Sequence, residues 1–203
     1  DVGSTSYRMR KNKDYADVID TIEIPVDGSA EFKQLYIDYR FSNKCNFKCI
    51  TCGPELSSSH ALEVIKLNGH WSAKSAYIQV ENFIDQFKTF SSDIREIYFA
   101  GGEPLIMDHH YEILDLFIKS QQPVYVHYNT NLSEINYKGI DILDLWGKIN
   151  GHVMIGASID GFDAPGETIR FGLSSAVFKN NVKKIADSGL TNIDLNFNIT
   201  FGL

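Results

Sequence analysis

The side chains in this sequence best suited to bind a metal are three cysteines that lie within eight residues of one another. Cys45, Cys49 and Cys52 occupy the stretch NKCNFKCITCGP at the spacing C-x3-C-x2-C, and the chain has no other cysteine. Thiolates bind zinc and iron–sulfur clusters well, and an odd number of crowded thiols does not resemble a disulfide framework. The stretch therefore indicates a metal site in a reducing compartment.

Zinc, an iron–sulfur cluster and chance clustering are three explanations for this spacing. A structural zinc ion takes four protein ligands, and His60 is a candidate for the fourth, although nothing in the sequence fixes its distance from the thiols. A 4Fe-4S cluster takes one thiolate per iron, so three cysteines leave one iron open to a substrate or cofactor. We favour the cluster over the other two because the open iron explains why there are only three cysteines.

A second motif, YFAGGEPLI at residues 98–106, contains two adjacent glycines after an apolar run. Gly101 and Gly102 lack a Cβ atom, so the backbone there can approach a ligand closely. Glu103 offers a carboxylate to an ammonium group, and Pro104 stiffens the chain that follows. On its own, a Gly-Gly pair more often marks only a tight turn.

Further candidate ligand-binding residues lie in polar stretches later in the chain. A planar guanidinium can bind a carboxylate through two hydrogen bonds, but a solvated Arg and an Asp-Gly turn are the ordinary interpretation of such a stretch. Asn is likewise common in turns. The candidates are Asn129 and Asn131 in YNTNLS, Ser158, Asp160 and Arg170 in GASIDGFDAPGETIRFG, and Asn196 and Asn198 in NIDLNFNI.

Alternating strand and helix patterns predict how these residues are positioned. Such alternation is typical of parallel strands joined by helical crossovers, which is the α/β class. The strand patterns are LYIDYRFS (35–42), IREIYFA (94–100), PVYVHYNT (123–130), HVMIGASI (152–159) and NIDLNFNI (192–199). The helix patterns are Val80, Phe83, Ile84 and Phe87; Ile113, Leu114, Phe117 and Ile118 after an Asp108 cap; residues 137–149; and residues 174–188, ended by Gly189.

The predicted strands carry polar residues at every second position, which indicates a cavity beside the sheet. Parallel strands covered by helices on both sides would be apolar on both faces. An antiparallel or open sheet with one wet face is the alternative. Ligands of α/β folds bind at the carboxyl ends of the strands. Of the histidines, we place His127 nearest a ligand, and we expect His109 and His110, at a helix start, to be solvated.

The composition limits the classes of protein to which this chain can belong. The chain has 203 residues, of which 43% are hydrophobic and 22% charged, which is typical of one globular domain. A net charge of -7, with no large basic block, argues against a nucleic-acid surface. No membrane-spanning run or signal peptide is evident, so the cytoplasm is the expected compartment. Residues 1–34 are interpreted as a leader or extension.

The three cysteines, the Gly-Gly-Glu-Pro motif and the Ser158-to-Arg170 stretch together resemble the radical SAM superfamily. The resemblance implies a partial (βα) barrel of the radical SAM type, covers residues 35–203 and includes five of the usual six strands, with the sixth expected after Leu203. It also implies an enzyme, in which a reduced 4Fe-4S cluster cleaves S-adenosylmethionine to a 5'-deoxyadenosyl radical that takes hydrogen from a substrate. A module that binds metal without radical chemistry is the alternative.

The resemblance also assigns roles to individual residues. Cys45, Cys49 and Cys52 hold the cluster, and S-adenosylmethionine chelates the fourth iron. Thr51 stands where the family usually has an aromatic residue, a departure that concerns the adenine contact. The remaining implied cofactor contacts are Gly101, Gly102, Glu103 and Pro104 around the methionyl amino group, Ser158, Asp160 and Arg170 around the ribose and carboxylate, and Asn129 and Asn198 near the nucleoside or substrate.

The implied partners follow from the same resemblance. They are S-adenosylmethionine, a reductant protein such as flavodoxin or ferredoxin, and a substrate for which a peptide or other macromolecule is suggested. The stretch after Cys52 resembles members that carry a SPASM or twitch region with auxiliary clusters, which would lie beyond Leu203.

Overall fold

The computed structural model describes residues 6–40, 42–70 and 82–200. Strands and helices alternate along these ranges, as the sequence pattern predicts. The strands are β1 Tyr36–Tyr39, β2 Lys48–Cys49, β3 Glu96–Phe99, β4 Val124–Thr130, β5 Asn136–Tyr137, β6 Ile140–Asp141, β7 Gly151–Ser158, β8 Arg170–Phe171 and β9 Ile193–Asn198. The helices are α1 Tyr7–Asp14, α2 Ala16–Ile19, α3 Ser58–Asn68, α4 Phe83–Phe90, α5 Asp108–Ser120, α6 Ile142–Trp146, α7 Asp163–Ile169 and α8 Ser175–Asp187, with 3-10 turns at Ser91–Asp93 and Pro104–Ile106.

The five predicted strands form one sheet in the order β1-β3-β4-β7-β9, and every neighbouring pair is parallel. Parallel strands need crossover connections, and helices supply them between most of the strands. The α/β prediction is therefore confirmed, and the antiparallel alternative is wrong. Because all five strands run the same way, their carboxyl ends lie along one edge of the sheet.

The two faces of this sheet differ in polarity, as the alternation predicts. One face packs under the helices, where Phe99, Val126 and Ile155 are fully buried against residues such as Phe117 of α5. The strand register places Asp38, Tyr98, His127, Met154 and Asp194 in one row on the opposite face. We call this polar side the inner face.

Two helix boundaries differ from the prediction. The helix predicted over 137–149 is a short β5–β6 hairpin followed by α6. Lys138 and Gly139 form its turn with positive φ angles of 51° and 82°, a conformation that glycine adopts freely and that matches the twist of a hairpin. Asp141 then caps α6, because its Oδ1 accepts a hydrogen bond from Leu143 N at 2.9 Å. Asp108 does not cap α5, since its carboxylate instead accepts from Lys138 Nζ at 2.6 Å.

Four helices were not predicted, namely α1, α2, α3 and α7, and one predicted helix start lies outside the described residues. Helix α3 begins after Ser57, whose hydroxyl accepts a hydrogen bond from His60 N at 3.3 Å. Helix α7 lies in the stretch interpreted as a turn. Helix α4 contains Phe83 and Phe87 as expected, but Val80 is not among the described residues.

The amino-terminal stretch, interpreted as a leader or extension, contains two short helices that contact the sheet. Lys11 of α1 forms an ion pair with Glu96, the first residue of β3 on the inner face. The Tyr15 hydroxyl donates a second hydrogen bond to the same carboxylate at 2.8 Å. Helix α1 therefore lies against the amino end of the inner face, opposite to the edge where ligands of such folds bind.

His110 differs from its expected place, because it is fully buried whereas His109 is exposed. Its ring lies among Phe99, Tyr111 and Tyr128, and Nε2 is hydrogen-bonded to the Tyr128 hydroxyl at 2.8 Å. Burial lowers the pKa of His110 to about 3, so the ring is neutral. The expectation of a solvated His110 is wrong because the apolar face of α5 includes this position.

Replacing Tyr128 by Phe should destabilise the fold. The ring contacts persist, but the buried Nε2 of His110 loses its partner, and an unsatisfied buried polar group costs about 1–3 kcal/mol. Urea unfolding of cluster-free protein measures this change in free energy. Tyr125→Phe is the matched control on the same strand, because its partly exposed hydroxyl donates to a weak acceptor, Met154 Sδ, at 3.3 Å. Equal stability of Tyr128→Phe and wild type would contradict the assignment.

Candidate functional site

A pocket of about 280 Å³ lies at the carboxyl edge of the sheet. Its walls come from the loops that follow β1, β3 and β4, the end of β7, and Arg170 of β8. Most of the site residues predicted from sequence therefore meet in one place. The predicted residues that line the pocket are Cys45, Cys49, Thr51, Cys52, Gly101, Gly102, Glu103, Asn129, Asn131, Ser158 and Arg170.

The start of α3 holds the cysteine loop in place. Cys45 N donates to the Ser58 hydroxyl at 3.1 Å, and the Ser59 hydroxyl donates to Cys45 O at 2.7 Å. The His60 Nε2 atom lies 2.9 Å from Cys49 O, so this ring contacts the backbone of the loop. The SSSH stretch after the cysteines therefore anchors the loop by hydrogen bonds that the sequence pattern did not reveal.

The three thiols share the pocket but are not gathered around one point. Within residues 6–40, 42–70 and 82–200, no group of three or more His, Cys, Asp or Glu side chains is placed to hold a single metal ion. A zinc ion needs its ligands around one centre, whereas a 4Fe-4S cluster binds each thiolate to a different iron. The zinc and cluster alternatives both stay predictions, and the three thiols converge only in the sense that they line one shared pocket.

Burial controls the charge of these thiols. It raises the pKa of Cys45 to about 12 and raises the pKa values of Cys49 and Cys52 above their ordinary value. The thiols are therefore protonated at neutral pH without a metal. Because thiolates are the ligands, binding of a metal centre must release these protons.

The Gly-Gly-Glu-Pro motif touches the cysteine loop through its backbone. A Cβ atom on Gly102 would lie 2.8 Å from Lys44 C and 2.9 Å from Asn43 C, closer than real side chains approach. The close approach lets Glu103 N donate a hydrogen bond to Lys44 O at 2.7 Å. Gly102 is thus required so that the end of β3 can lie directly against the residue before Cys45.

The Glu103 carboxylate is fully buried and bound by the protein's own donors. Its Oε1 accepts from Leu105 N at 3.0 Å and from the Thr130 hydroxyl at 2.6 Å, and its Oε2 accepts from Asn131 N at 2.6 Å. Burial nevertheless raises the pKa of Glu103 to about 7. The side chain therefore ties the ends of β3 and β4 together, which leaves the backbone of the motif to face the pocket.

Three predicted site residues do not line the pocket, but each contacts or directly follows a residue that does. Asn198 Nδ2 donates to Asn129 Oδ1 at 2.8 Å. Pro104 is buried and begins the 3-10 turn after Glu103. Asp160 forms a buried ion pair with Arg170, in which Arg170 Nε lies 2.7 Å from Asp160 Oδ2. The Arg170 guanidinium is thus engaged by a carboxylate of the protein itself.

Several residues that line the pocket were not predicted from the sequence, and one histidine that was placed near a ligand does not line it. Arg40, Phe47 and Thr130 also line the pocket, whereas His127 does not, because it lies further along the inner face toward the amino end. Thr130 belongs to the YNTNLS stretch and ends β4, so its position at the end of a predicted strand could have marked it as a site residue. Nothing in the sequence pattern marks Phe47 apart from its position between two of the cysteines.

Comparison with known proteins finds a matching family and a similar relative. The model of the family described as Radical SAM superfamily matches residues 39–203, which include all of the lining residues. A curated relative, GTP 3',8-cyclase of Campylobacter lari, is 24% identical over 167 residues. That alignment covers 82% of this chain and 45% of the relative, so the chain spans less than half the length of the relative it matches.

Gly102→Ala should weaken the cysteine loop and its capacity to bind a metal centre. The new methyl group must push the backbone of Lys44 away, and such overpacking costs about 1–3 kcal/mol. Iron and sulfide content after anaerobic reconstitution should fall well below wild type. Gly53→Ala is the matched control in the same loop, since a Cβ there meets only the movable side chain of Glu55. Wild-type iron content in Gly102→Ala would contradict the close approach.

The raised pKa of Glu103 predicts a pH dependence of stability. The folded protein keeps a proton that the unfolded chain releases above its ordinary pKa of 4.5, so stability falls as pH rises from 4.5 to about 7. The loss is on the order of 2–3 kcal/mol. Urea unfolding of cluster-free protein across this window should show the decline, and Glu103→Gln should flatten it. The exposed control Glu112→Gln should keep the wild-type profile, and an unchanged slope in Glu103→Gln would refute the assignment.

Proposed function

The chain belongs to the radical SAM superfamily, and from this premise we propose that its pocket holds a 4Fe-4S cluster on Cys45, Cys49 and Cys52 and S-adenosylmethionine beside it. One observation carries the proposal. The three thiols, at the spacing C-x3-C-x2-C, line a single pocket with the glycine motif at the carboxyl edge of the sheet. That arrangement suits a cluster with one iron open to a second ligand.

The residues present fit these two groups. The pocket is concave, of a volume close to that of small-ligand sites, and has cysteines on one wall and strand-end polar groups on the other. Backbone groups of Gly101 and Gly102 are close enough to the surface of the pocket to receive the methionyl amino group. Asn129 and Ser158 offer an amide and a hydroxyl to the ribose or carboxylate. Thr51, which replaces the usual aromatic residue, provides a hydroxyl on the cysteine loop.

When bound, the cluster supplies the electron that cleaves S-adenosylmethionine to a 5'-deoxyadenosyl radical, which takes a hydrogen atom from the substrate. The protein's own part is to bind, orient and shield. The buried outer face of the sheet fixes the strand ends, and the polar inner face beneath the pocket provides the wall along which a substrate would lie.

We propose a peptide or other macromolecule as the substrate, and the charges at the site support this choice over a polyphosphate. The two arginines that line the pocket are both engaged: Arg40 Nε lies 2.7 Å from Asp38 Oδ1, and Arg170 pairs with Asp160. Lys11, at the far end of the inner face, pairs with Glu96. Among the described residues that line the pocket, each Lys or Arg therefore has a carboxylate partner, whereas a triphosphate would need several free cations.

The partners and compartment are proposals that rest on the family. A low-potential protein such as flavodoxin or ferredoxin would reduce the cluster, and a twitch region with auxiliary clusters would extend the site. The cytoplasm is the compartment proposed for such oxygen-sensitive chemistry. No helix in the described ranges is long and apolar enough to cross a membrane.

Anaerobic reconstitution with iron and sulfide tests the proposed function. Wild-type protein reduced with dithionite should convert S-adenosylmethionine to 5'-deoxyadenosine and methionine, as chromatography would show. Cys49→Ala should lose the cluster and the product, because one iron then lacks its thiolate.

His60→Gln separates the cluster from the zinc alternative. The ring is hydrogen-bonded to the backbone O of Cys49, so this variant should keep its iron and its product, whereas a zinc site completed by His60 would lose metal. An intact cluster that neither cleaves S-adenosylmethionine nor changes its electron paramagnetic resonance spectrum on adding it would refute radical catalysis.

A further inference from the structure

We propose that Asp160 is a positioning residue that holds the Arg170 guanidinium beside Cys49 and cancels its charge there. This inference rests on the proposed function, since it takes Cys49 as a cluster ligand. It gives Arg170 a role beside the cluster ligand in addition to any contact with the methionyl carboxylate.

The pair forms a clamp that combines one hydrogen bond with one close ionic contact. Arg170 Nε lies 2.7 Å from Asp160 Oδ2, and Arg170 Nη2 donates to Asp160 Oδ1 at 3.0 Å. The third nitrogen, Nη1, lies 4.0 Å from Cys49 Sγ. The side chains of Arg170 and Asp160 are only 11% and 1% exposed, so water does little to screen the pair.

Backbone contacts fix both ends of the clamp. Arg170 pairs with Cys49 between the antiparallel strands β8 and β2, and Ile50 N donates to Ile169 O at 2.8 Å. Asp160, just after β7, also accepts a hydrogen bond from Thr200 N at 2.8 Å. The pair therefore connects the cysteine loop with the ends of β7 and β9. A guanidinium with so little freedom stays near the Cys49 sulfur.

The Asp160–Arg170 pair controls the net charge beside the Cys49 sulfur. Reduction adds one negative charge to a cluster, and net charge and hydrogen bonds to the sulfurs set its potential. An unopposed Arg170 would favour the reduced form, and an unopposed Asp160 would disfavour it. Together the two groups add almost no net charge. Asp160 thereby lets Arg170 donate toward Cys49 without a large shift in potential.

Redox titration of the reconstituted protein without S-adenosylmethionine tests this inference, with the reduced cluster followed by electron paramagnetic resonance. Asp160→Asn leaves Arg170 unopposed, so its midpoint potential should rise. Arg170→Gln leaves Asp160 unopposed, so its potential should fall. Each single variant should change the ratio of reduced to oxidised cluster about tenfold at a fixed applied potential, which is a shift of ~59 mV for one electron. The double variant should return close to wild type.

Opposite shifts that cancel in the double variant would support charge balance, because a merely structural role would move both single variants the same way. Shifts in one direction, or no shift, would overturn the inference. Where a single variant does not load the cluster, the double variant decides: loading with a near-wild-type potential supports the inference, and any other result overturns it.

A partly exposed ion pair between β2 and α3 provides the control. Lys48 lies directly before Cys49 and binds Glu63 Oε1 at 2.6 Å, but this pair is partly exposed. Lys48→Gln should leave the potential unchanged, because solvent screens its charge. Iron and sulfide content measures the proposed function separately: wild-type protein without a cluster would refute that function, whereas normal loading with unchanged potentials would refute only the role of Asp160.

Discussion

The hydrogen bonds of the buried Glu103 carboxylate are the interaction on which the site most depends. Three donors from its own 3-10 turn and the end of β4 converge on this group, while its backbone N–H binds the residue before Cys45. One residue therefore joins the carboxyl ends of β1, β3 and β4. The cost of burying the group is visible in its raised pKa and is offset by these bonds. Together with the contacts from α3, these bonds fix the cysteine loop relative to the glycine motif.

The sheet holds the strand ends that Glu103 joins in a rigid arrangement, because one face of the sheet is apolar and packed under helices while the other is polar. The outer face is a continuous apolar core under the helices, and packing of this kind fixes strand positions closely. The inner face carries polar groups that bind one another in pairs, including Asn129 with Asn198 and His152 with Asp194. Helix α1 adds Lys11 to this network at the amino end. Ligands are therefore directed to the opposite edge, where the strand ends leave groups free.

How much of this could be predicted from sequence depends on the range of the interactions involved. Alternation of apolar residues is local, so the five strands and the polar inner face were predicted correctly. The hairpin before α6 was missed because a helical pattern outweighed the Lys138-Gly139 turn. Ser59, Thr130 and Asp160 bind partners that are 14, 27 and 40 residues away in the chain. Those contacts depend on how the strand ends are brought together, which a single sequence does not reveal.

The thiols, the Asp160–Arg170 pair and the buried carboxylate together determine the charge of the pocket. The thiols are neutral because burial raises their pKa values, and the guanidinium near Cys49 is cancelled by Asp160. Burying several charges without partners would be far more costly than burying neutral groups. The chain can thus fold around an uncharged pocket and exchange thiol protons for a metal centre later. The glycine contact and the buried carboxylate then hold the strand ends in place while the charge of the pocket changes.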